Sequence, residues 1–285
     1  MLSYQHGFHA GNFADLHKHL TLQLMLNALN RKAKPWCYLE THAGRGLYDL
    51  TSDQAQKTGE FKEGIAKLWG KPQSGAIEDY LTQVRSAGAE FGSSESDPMV
   101  AYPGSPMLAA LQMRDNDKMH LMELHPKESV ELKRNMRRFA NVGVHHRDGY
   151  EGVLSLLPPK PNRGLLLIDP AYEVKDEYAQ VARFIEQVLK RWPNAQIAIW
   201  YPILAAARHE LMLKQVLKIS TDVGVYDSRF IVDELTERGM FGSGMLLINP
   251  PWQLDNQLEE LLPQMMKQLS PISPSIESNW LRKAH

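Results

Sequence analysis

The amino-acid sequence predicts an α/β fold built around a Rossmann-like, doubly wound sheet of seven mostly parallel strands. Short apolar runs without strict alternation recur along the chain, as is typical of strands that are buried on both faces of a parallel sheet. Helix-like stretches separate most of these runs, and such alternation of strand and helix indicates the α/β class. The apolar runs cover residues 36–39, 119–124, 142–145, 164–168, 196–201, 225–232 and 245–248.

The helical stretches complete this order of elements. One helix is predicted over residues 14–31, before the first strand, and three more over 127–139, 178–191 and 203–218. The last two apolar runs are joined by the turn-rich loop 237–244, with no helical stretch between them. Because parallel neighbours need a long crossover, this pair is predicted to form a hairpin, so that the last strand is antiparallel.

Residues 50–100 separate the first two strands by more chain than a crossover helix needs. Amphipathic stretches at 61–69 and 76–91 predict a small helical insertion there, within a single domain that spans residues 1–285. The insertion is interpreted either as a substrate-facing lid or as a decoration of the fold. The tail beyond about residue 270 contains Ser and Pro and is predicted to be loosely ordered.

Composition narrows the class of protein. A net charge of −1 excludes a strongly basic nucleic-acid binder, so a nucleic-acid footprint would have to be local, with 133–138 and 160–163 as candidate patches. The lone cysteine, Cys37, cannot staple a secreted fold, which favours a reducing, cytoplasmic setting. The sequence shows neither a signal-peptide layout nor an apolar stretch of the roughly 20 residues that would span a membrane.

An acidic residue and a glycine-rich turn follow the first strand, in Glu40-Thr41-His42-Ala43-Gly44-Arg45-Gly46. Glycines at this place let a ligand approach the bare backbone. A dinucleotide fingerprint needs a third glycine three residues further on, where Asp49 stands. This departure argues against NAD and is compatible with S-adenosylmethionine (SAM), which has no pyrophosphate to bind.

Polar residues also follow the next two predicted strands. Glu123 ends the second strand, where a carboxylate of a nucleotide-binding α/β fold accepts hydrogen bonds from ribose hydroxyls, although a surface charge or helix cap would look the same. Asp148 and Gly149 follow the third strand and could receive an adenine amino group, although Asp-Gly alone is usually a turn. Ser105, in the rigid turn 102–106, could cap a helix or contact the ligand.

The fourth strand leads into Asp169-Pro170-Ala171-Tyr172, the most specific signal of the chain. The lone pair of a base amino group is conjugated into the ring, which makes the nitrogen a poor nucleophile. A carboxylate and a backbone carbonyl that accept its two N–H groups favour a pyramidal nitrogen and free the lone pair for attack on a methyl group. Pro170 leaves a free carbonyl, and Tyr172 offers a face on which an extruded base can stack. The motif therefore predicts transfer of a methyl group to an exocyclic base nitrogen.

A competing motif, Asn249-Pro250-Pro251-Trp252, follows the last strand of the predicted sheet. The active site of such a sheet lies where the strand order reverses, near the first and fourth strands. The Asn249 motif is therefore assigned a structural or substrate-rim role.

The N-terminal region is rich in histidines, namely His6, His9, His17 and His19. Residues two apart do not share a helix face, which separates His17 from His19, and no cysteine is available to complete a zinc site nearby. No metal is therefore predicted. Lys18 and His19 are instead expected on a helix that packs across the cofactor pocket.

A series of motifs extends nearly from end to end of the chain. They are Tyr4-Gln5-His6-Gly7-Phe8-His9-Ala10-Gly11-Asn12-Phe13-Ala14-Asp15, Lys18-His19, Thr41-His42-Ala43-Gly44, Tyr102-Pro103-Gly104-Ser105-Pro106, Glu123-Leu124-His125-Pro126, Asp148-Gly149, Asp169-Pro170-x-Tyr172, Trp200-Tyr201-Pro202 and Asn249-Pro250-Pro251-Trp252. On these motifs the chain resembles the RlmJ family of 23S rRNA (adenine-N6)-methyltransferases, of which the N-terminal block is distinctive.

The resemblance implies a Rossmann-like class I SAM-dependent methyltransferase that modifies N6 of adenine 2030, in the numbering of the family's 23S rRNA. Asp169, Pro170 and Tyr172 would be catalytic, and Tyr4, His6 and Lys18 would meet the RNA. The residues implied to contact SAM are His19, His42, Ser105, Glu123, Asp148, Gly149 and Asp169.

The sequence departs from the family's pattern at one position, where Ala171 replaces the usual second proline. The loss of that ring softens the turn but keeps the Asp169 carboxylate, so activity is expected to survive. The expected partner is 23S rRNA, either protein-free or in an early assembly intermediate. The protein is expected to be a cytoplasmic monomer that does not associate with a membrane.

Two alternatives stay open at this point, and a third is disfavoured. An adenine-N6 methyltransferase acting on DNA would use the same chemistry, and nothing local in the sequence separates the two substrates. A non-catalytic RNA-binding assembly factor would keep the fold without turnover, and Ala171 is the one hint of it. An NAD oxidoreductase is disfavoured by the missing third glycine.

Overall fold

The computed structural model of the protein describes residues 5–89, 99–233 and 239–284. The strands are β1 (Cys37–Glu40), β2 (Leu47–Asp49), β3 (Ala101–Pro103), β4 (Lys118–Met122), β5 (Val142–His145), β6 (Gly164–Ile168), β7 (Gln196–Ile203), β8 (Val225–Ile231), β9 (Gly242–Ile248) and β10 (Ser275–Arg282). The helices are α1 (Phe13–Asn30), α2 (Asp53–Thr58), α3 (Gly75–Ala89), α4 (Ser105–Gln112), α5 (Pro126–Met136), α6 (Gly149–Leu156), α7 (Glu177–Arg191), α8 (His209–Leu217) and α9 (Leu254–Leu269). Short 3-10 helices occupy His6–Phe8, Glu60–Glu63 and Ile65–Lys67.

The main sheet has eight strands in the order β10-β8-β9-β7-β6-β1-β4-β5, and β2 pairs with β3 in a separate small sheet. Strands β5, β4, β1, β6 and β7 are parallel, whereas β9 runs antiparallel to both β7 and β8. All seven predicted apolar runs are strands of this sheet, and the predicted hairpin is β8 with β9. The order reverses between β1 and β6, which places the predicted switch point at the centre of the sheet.

The eighth strand corrects the expectation of a loosely ordered tail. Strand β10 pairs antiparallel with β8 along most of its length. Its side chains alternate between exposed and half-buried, as expected of an edge strand with one face in contact with the core. The Trp280 ring packs edge-on against Tyr226, and its Nε1 donates to Asp255 Oδ2 at 2.8 Å. The alternation was hidden by the Ser and Pro content of the segment.

Two helix predictions also needed correction. The helix predicted from residue 203 begins at His209, because β7 continues to Ile203 and Ala207 lies in the left-handed region at φ 46°. The stretch predicted as one helix at 61–69 is two 3-10 turns broken at Gly64, where a side chain would collide with the Gly11 carbonyl. The predicted helix at 76–91 is α3, as far as the described residues extend.

Helices cover both faces of the main sheet. Helices α6, α7 and α8 pack on one face, and α1, α3, α4, α5 and α9 pack on the other. Helix α1 is the most enclosed, since most of its 18 residues are buried against α3, α4, α9 and β9. Asn12 caps its first turn by accepting from the amides of Ala14 and Asp15. In the described ranges no helix is both long and apolar enough to cross a membrane.

Candidate active site

A cavity of about 320 Å³ opens at the carboxyl ends of β1, β4, β6 and β7. Helix α1, the segment before it and the turn that precedes α4 complete its walls. Residues predicted from the sequence as site residues form much of the lining. They are His6, Lys18, His19, His42, Ser105, Glu123, Asp169, Pro170 and Tyr172, with Ala171 beside them.

Asp169 follows the last residue of β6 and faces α1 across the cavity. Its Oδ2 accepts a hydrogen bond from Lys18 Nζ at 2.6 Å. The Lys18 side chain is only 6% exposed, and its ammonium also lies 3.0 Å from Asp15 Oδ1. Charge-assisted hydrogen bonds of this kind fix the positions of the ammonium and of both carboxylates. The first helix of the chain therefore orients the carboxylate that the fourth parallel strand delivers.

Asp15 is a site residue to which the sequence reasoning assigned no role. Its Oδ2 accepts from His6 Nε2 at 2.9 Å and from the Gly11 amide at 2.8 Å. Burial alone would raise the pKa of Asp15, but the nearby His6 and Lys18 hold it well below its usual range. The available signal was a carboxylate in the first turn of an apolar helix, which on its own indicates only a favourable helix dipole.

His19 belongs to a buried polar group with two tyrosines. Its Nδ1 lies 3.0 Å from the Tyr102 hydroxyl and 3.3 Å from the Tyr80 hydroxyl, and the two hydroxyls are 2.7 Å apart. Burial lowers the pKa of His19 to about 3, so the ring is neutral. His19 lines the cavity, and its Nε2, which lies 3.8 Å from Asp15 Oδ1, makes no hydrogen bond within the described residues.

His17 points to a different part of the molecule. Its Nδ1 contacts Ser243 Oγ at 3.0 Å and its Nε2 contacts Ser228 Oγ at 3.2 Å, both on the sheet beneath α1. Burial lowers the pKa of His17 to about 3. The described residues contain no group of three or more His, Cys, Asp or Glu placed to hold a metal ion.

Glu123 is tied to the glycine-rich turn after β1. Its Oε2 accepts from the Gly44 amide at 2.7 Å and its Oε1 from the His125 amide at 2.6 Å. Burial raises the pKa of Glu123, although both amides oppose the shift. Gly44 has φ 60°, and a side chain there would collide with the Tyr48 hydroxyl, so this position requires glycine.

Asp148 and Gly149 lie beside the lining, at the carboxyl end of β5. Asp148 caps α6 by accepting from the Glu151 amide at 2.9 Å. Gly149 packs so closely on the end of β1 that a side chain there would collide with the Thr41 carbonyl. His42 connects this corner to the cavity, since its ring lies 5.3 Å from that of Tyr150, the next residue of α6.

Tyr172 is buried, whereas the sequence predicted an open ring on which a base could stack. Its hydroxyl donates to the Trp200 carbonyl at 2.9 Å, and its ring packs 4.3 Å from that of Tyr178. Trp200, which the sequence reasoning noted without a role, also lines the cavity. Its Nε1 donates to Ser243 Oγ at 3.0 Å, which is the oxygen that His17 contacts. This wall of the cavity thus consists of two aromatic residues held by polar contacts.

The first half of the region 50–100 supports the segment that precedes α1. The Ile65 amide donates to the Gly11 carbonyl at 2.8 Å, and Glu60 contacts His9 Nδ1 and Asn12 Nδ2, both at 2.8 Å. The bond to Glu60 raises the pKa of His9 despite its burial. This region therefore holds the segment that carries His6. Tyr4, the other predicted RNA contact of that segment, lies outside the described residues.

Asn249 and Trp252 follow β9 at the opposite end of the sheet from the cavity, near the amino ends of the parallel strands. Ile248, the last residue of β9, is in register with Ile197 near the start of β7. Asn249 Nδ2 contacts the carbonyls of Asn194 and Ala195, both at 3.3 Å. The motif is thus structural, joining β9 to the loop before β7, and this position argues against the substrate-rim role.

The strand order and the place of the cavity define a class of protein. Without β10, the main sheet reads β5-β4-β1-β6-β7-β9-β8, with the reversed β9 inserted between β7 and β8. This is the topology of the Rossmann-like class I SAM-dependent methyltransferases, whose cavity lies at the strand-order reversal.

Comparison with known proteins identifies the family within that class. The family model described as "Ribosomal RNA large subunit methyltransferase D, RlmJ" matches residues 33–282. Two proteins named "Ribosomal RNA large subunit methyltransferase J" are similar, one from Haemophilus influenzae at 41% identity over 282 residues and one from Escherichia coli at 37% over 272 residues. Each alignment covers 95% of both chains. The chain belongs to the RlmJ family, which confirms the resemblance drawn from its motifs.

A solved structure is similar to this chain over nearly its whole length. Protein LPL1258 from Legionella pneumophila has 34% sequence identity and a TM-score of 0.84, with 95% of this chain and 98% of that one covered.

Proposed function

We propose that the protein transfers a methyl group from SAM to N6 of an adenine in 23S rRNA. The observation that carries this proposal is the Asp169 carboxylate, which is held by Lys18 on the wall of a cavity at the sheet's switch point. Membership of the RlmJ family and the printed names of its two relatives support a large-subunit rRNA as the substrate. The adenine N6 target, position 2030 in the family's numbering, is the finer part of the proposal.

The residues around the cavity fit SAM as the cofactor. A volume of about 320 Å³ falls within the range of about 300–1,000 Å³ that is usual for small-molecule sites. His19 lines this space, and its buried Nε2 lacks a hydrogen-bond partner among the described residues, as expected of a ligand contact. We assign cofactor binding to His19, His42, Ser105, Glu123, Asp148, Gly149 and Asp169.

SAM supplies the methyl group, and the chain supplies orientation. Asp169 accepts one N–H of the adenine amino group, and the Pro170 carbonyl accepts the other. These two acceptors favour a pyramidal nitrogen whose lone pair points at the methyl group. Lys18 holds the carboxylate in place, while Tyr172 and Trp200 enclose the base.

The N-terminal segment completes the RNA side of the site. We assign RNA contact to Tyr4, His6 and Lys18, of which His6 and Lys18 line the cavity. Ala171 also lines it, and the smaller side chain leaves the base more room than a proline ring would. Because the net charge is −1, we propose recognition by shape and a local groove. The proposed working form is a cytoplasmic monomer that acts on protein-free rRNA or early assembly intermediates.

The test is methyl transfer from labelled SAM to protein-free 23S rRNA, with the modified base mapped by mass spectrometry of nuclease fragments. We expect N6-methyladenine at one position, and a loss of about 10²–10³-fold in rate for Asp169→Ala, because a catalytic acceptor is removed. Asp176→Asn is the matched control, since Asp176 is exposed and lies outside the cavity lining.

Each alternative predicts a different result in the same assay. No transfer by the wild type, together with RNA binding, would indicate an assembly factor. Preferential methylation of adenine-containing DNA in a competition would indicate the DNA enzyme. Undiminished transfer by Asp169→Ala would refute the assigned mechanism. Assembled large subunits as competitor substrate, and light scattering of the free protein, test the proposed substrate form and the monomer.

A further inference from the structure

Glu40, the last residue of β1, is a fully buried carboxyl group that the proposed reaction does not use. Ser105 Oγ lies 2.5 Å from its Oε1, and the Tyr38 hydroxyl lies 2.8 Å from its Oε2. Burial raises the pKa of Glu40 to about 8, against the opposing effect of both hydrogen bonds. The carboxyl group is therefore protonated at neutral pH and ionises a little above it.

The protonation state of Glu40 decides what Ser105 can offer the cavity. An ionised carboxylate only accepts, so the Ser105 hydroxyl must donate to it. A protonated Glu40 has one O–H to donate, and Tyr38 remains a donor because burial raises its pKa well above the usual value. The Glu40 proton then goes to Ser105 Oγ, and the Ser105 hydroxyl proton is free for another acceptor, either the neighbouring Tyr38 oxygen or a ligand in the cavity that Ser105 lines.

The surroundings of Ser105 suit a negatively charged ligand group. Ser105 is the first residue of α4, and its N-cap, Gly104, provides no side-chain cap. The N-terminus of a helix favours an anion. A second and independent observation is His19, which lines the same cavity and whose buried Nε2, 3.8 Å from Asp15 Oδ1, has no hydrogen-bond partner among the described residues. SAM carries one anionic group, its α-carboxylate.

We propose that Glu40 is a positioning residue whose proton couples to cofactor binding, because protonated Glu40 turns the Ser105 hydroxyl toward the α-carboxylate of SAM. This inference rests on the proposed function, which makes SAM the cofactor. It adds that SAM binds the protonated form of Glu40 more tightly than the ionised form.

Four groups face Glu40 from the elements around it. Tyr38 of β1 and Ser105 of α4 contact it directly, and Asp169 after β6 and Lys18 of α1 act on it through their charges. Lys18 favours the ionised form and Asp169 disfavours it. Only protonated Glu40 frees the Ser105 hydroxyl to donate to a bound carboxylate, so SAM binding raises the pKa of Glu40 further. By linkage, the affinity for SAM falls as pH rises through the pKa of the free protein.

The test is calorimetric titration of the full-length protein with SAM, from about pH 7 to about pH 9.5, in paired buffers of different ionisation enthalpy. Glu40→Gln is the matched variant, since its amide can donate to Ser105 and accept from Tyr38 at every pH. The SAM amino group titrates in the same way with both proteins, so its contribution cancels when the proton uptake of the variant is subtracted from that of the wild type. Above about pH 8 we expect the wild type to take up close to one proton more per SAM than the variant.

The dissociation constant gives a second readout. For the wild type relative to the variant, it should rise by up to about tenfold per pH unit above the pKa of Glu40. Equal proton uptake and equal pH dependence in the two proteins would overturn the inference, and would leave SAM as the cofactor untouched. No binding of SAM by the wild type would instead overturn the proposed function and this inference together.

A spectroscopic measurement decides the matter even if Glu40→Gln fails to fold. Infrared difference spectra of the wild type at about pH 9 should gain the carbonyl band of a protonated carboxylic acid when SAM is added. The carboxylate of SAM itself has no such band. Spectra without this gain would overturn the inference.

Discussion

Replacement of Asp15 by Asn tests whether the buried charges beneath the cavity form one cooperative network. The Asp15 side chain is 1% exposed and lies 3.0 Å from Lys18 Nζ and 2.9 Å from His6 Nε2. Removal of one partner from a buried ion pair costs about 3–5 kcal/mol. Asn retains an acceptor for the Gly11 amide, and Lys18 retains Asp169, so we expect a loss of about 2–3 kcal/mol.

The assay for this variant is urea unfolding followed by circular dichroism. The midpoint should fall at unchanged slope, whereas exposed Asp176→Asn should stay within about 0.5 kcal/mol of the wild type. The pKa of folded Asp15 is depressed, so its contribution is present above the unfolded-state pKa and is lost only in acid. The deficit should therefore be constant from about pH 7 to about pH 9. A loss below about 1 kcal/mol would refute the view that Asp15 carries a needed charge.

Three further substitutions test the packing of α6 on β1, the positioning of the Trp200 ring and the role of an exposed side chain far from the cavity. Gly149→Ala should lower the free energy of unfolding by about 1–3 kcal/mol, because α6 must shift to make room for the new methyl group. The same shift should weaken SAM binding in calorimetry. Gly88→Ala is the control and should change neither quantity, because a methyl group there meets open space in α3. Ser243→Ala releases the Trp200 indole, so steady-state kinetics should show a raised KM for RNA with an unchanged Kd for SAM. Trp252→Ala should leave the methylation rate within about twofold and the urea midpoint unchanged, because this side chain is 82% exposed at the opposite end of the sheet from the cavity.

The central parallel strands β1 and β6 could be predicted because every residue of both is buried and each reads as a largely apolar run. The elements that were missed carry weaker signals. Strand β10 is a half-buried edge strand, and its alternation is short and mixed with Ser. The residues after Ile203 have the composition of a helix, but β7 continues through Ile203 and α8 starts only at His209. Local propensity was overridden there by pairing of β7 with β9.

Much of the cavity lining could also be predicted, since polar residues at the ends of parallel strands meet at one edge. Asp15 and Glu40 received no role because the importance of a buried carboxyl depends on partners far away in the sequence. Glu40 differs from Asp15 in that two hydroxyls, and no cation, contact its oxygens directly. The direction of a pKa shift follows from such neighbours, which a linear pattern does not show.

The enclosure of α1 has a consequence for the order of synthesis. The helix that supplies Lys18 and His19 is made first, yet it rests on β9, and its His17 bonds to Ser228 and Ser243. A nascent chain cannot close these contacts until the residues as far as Ser243 have left the ribosome. Contacts so distant in sequence slow folding and leave early segments waiting for late ones. The protein therefore cannot complete the cavity that contains Lys18 and Asp169 until β8 and β9 have been synthesised.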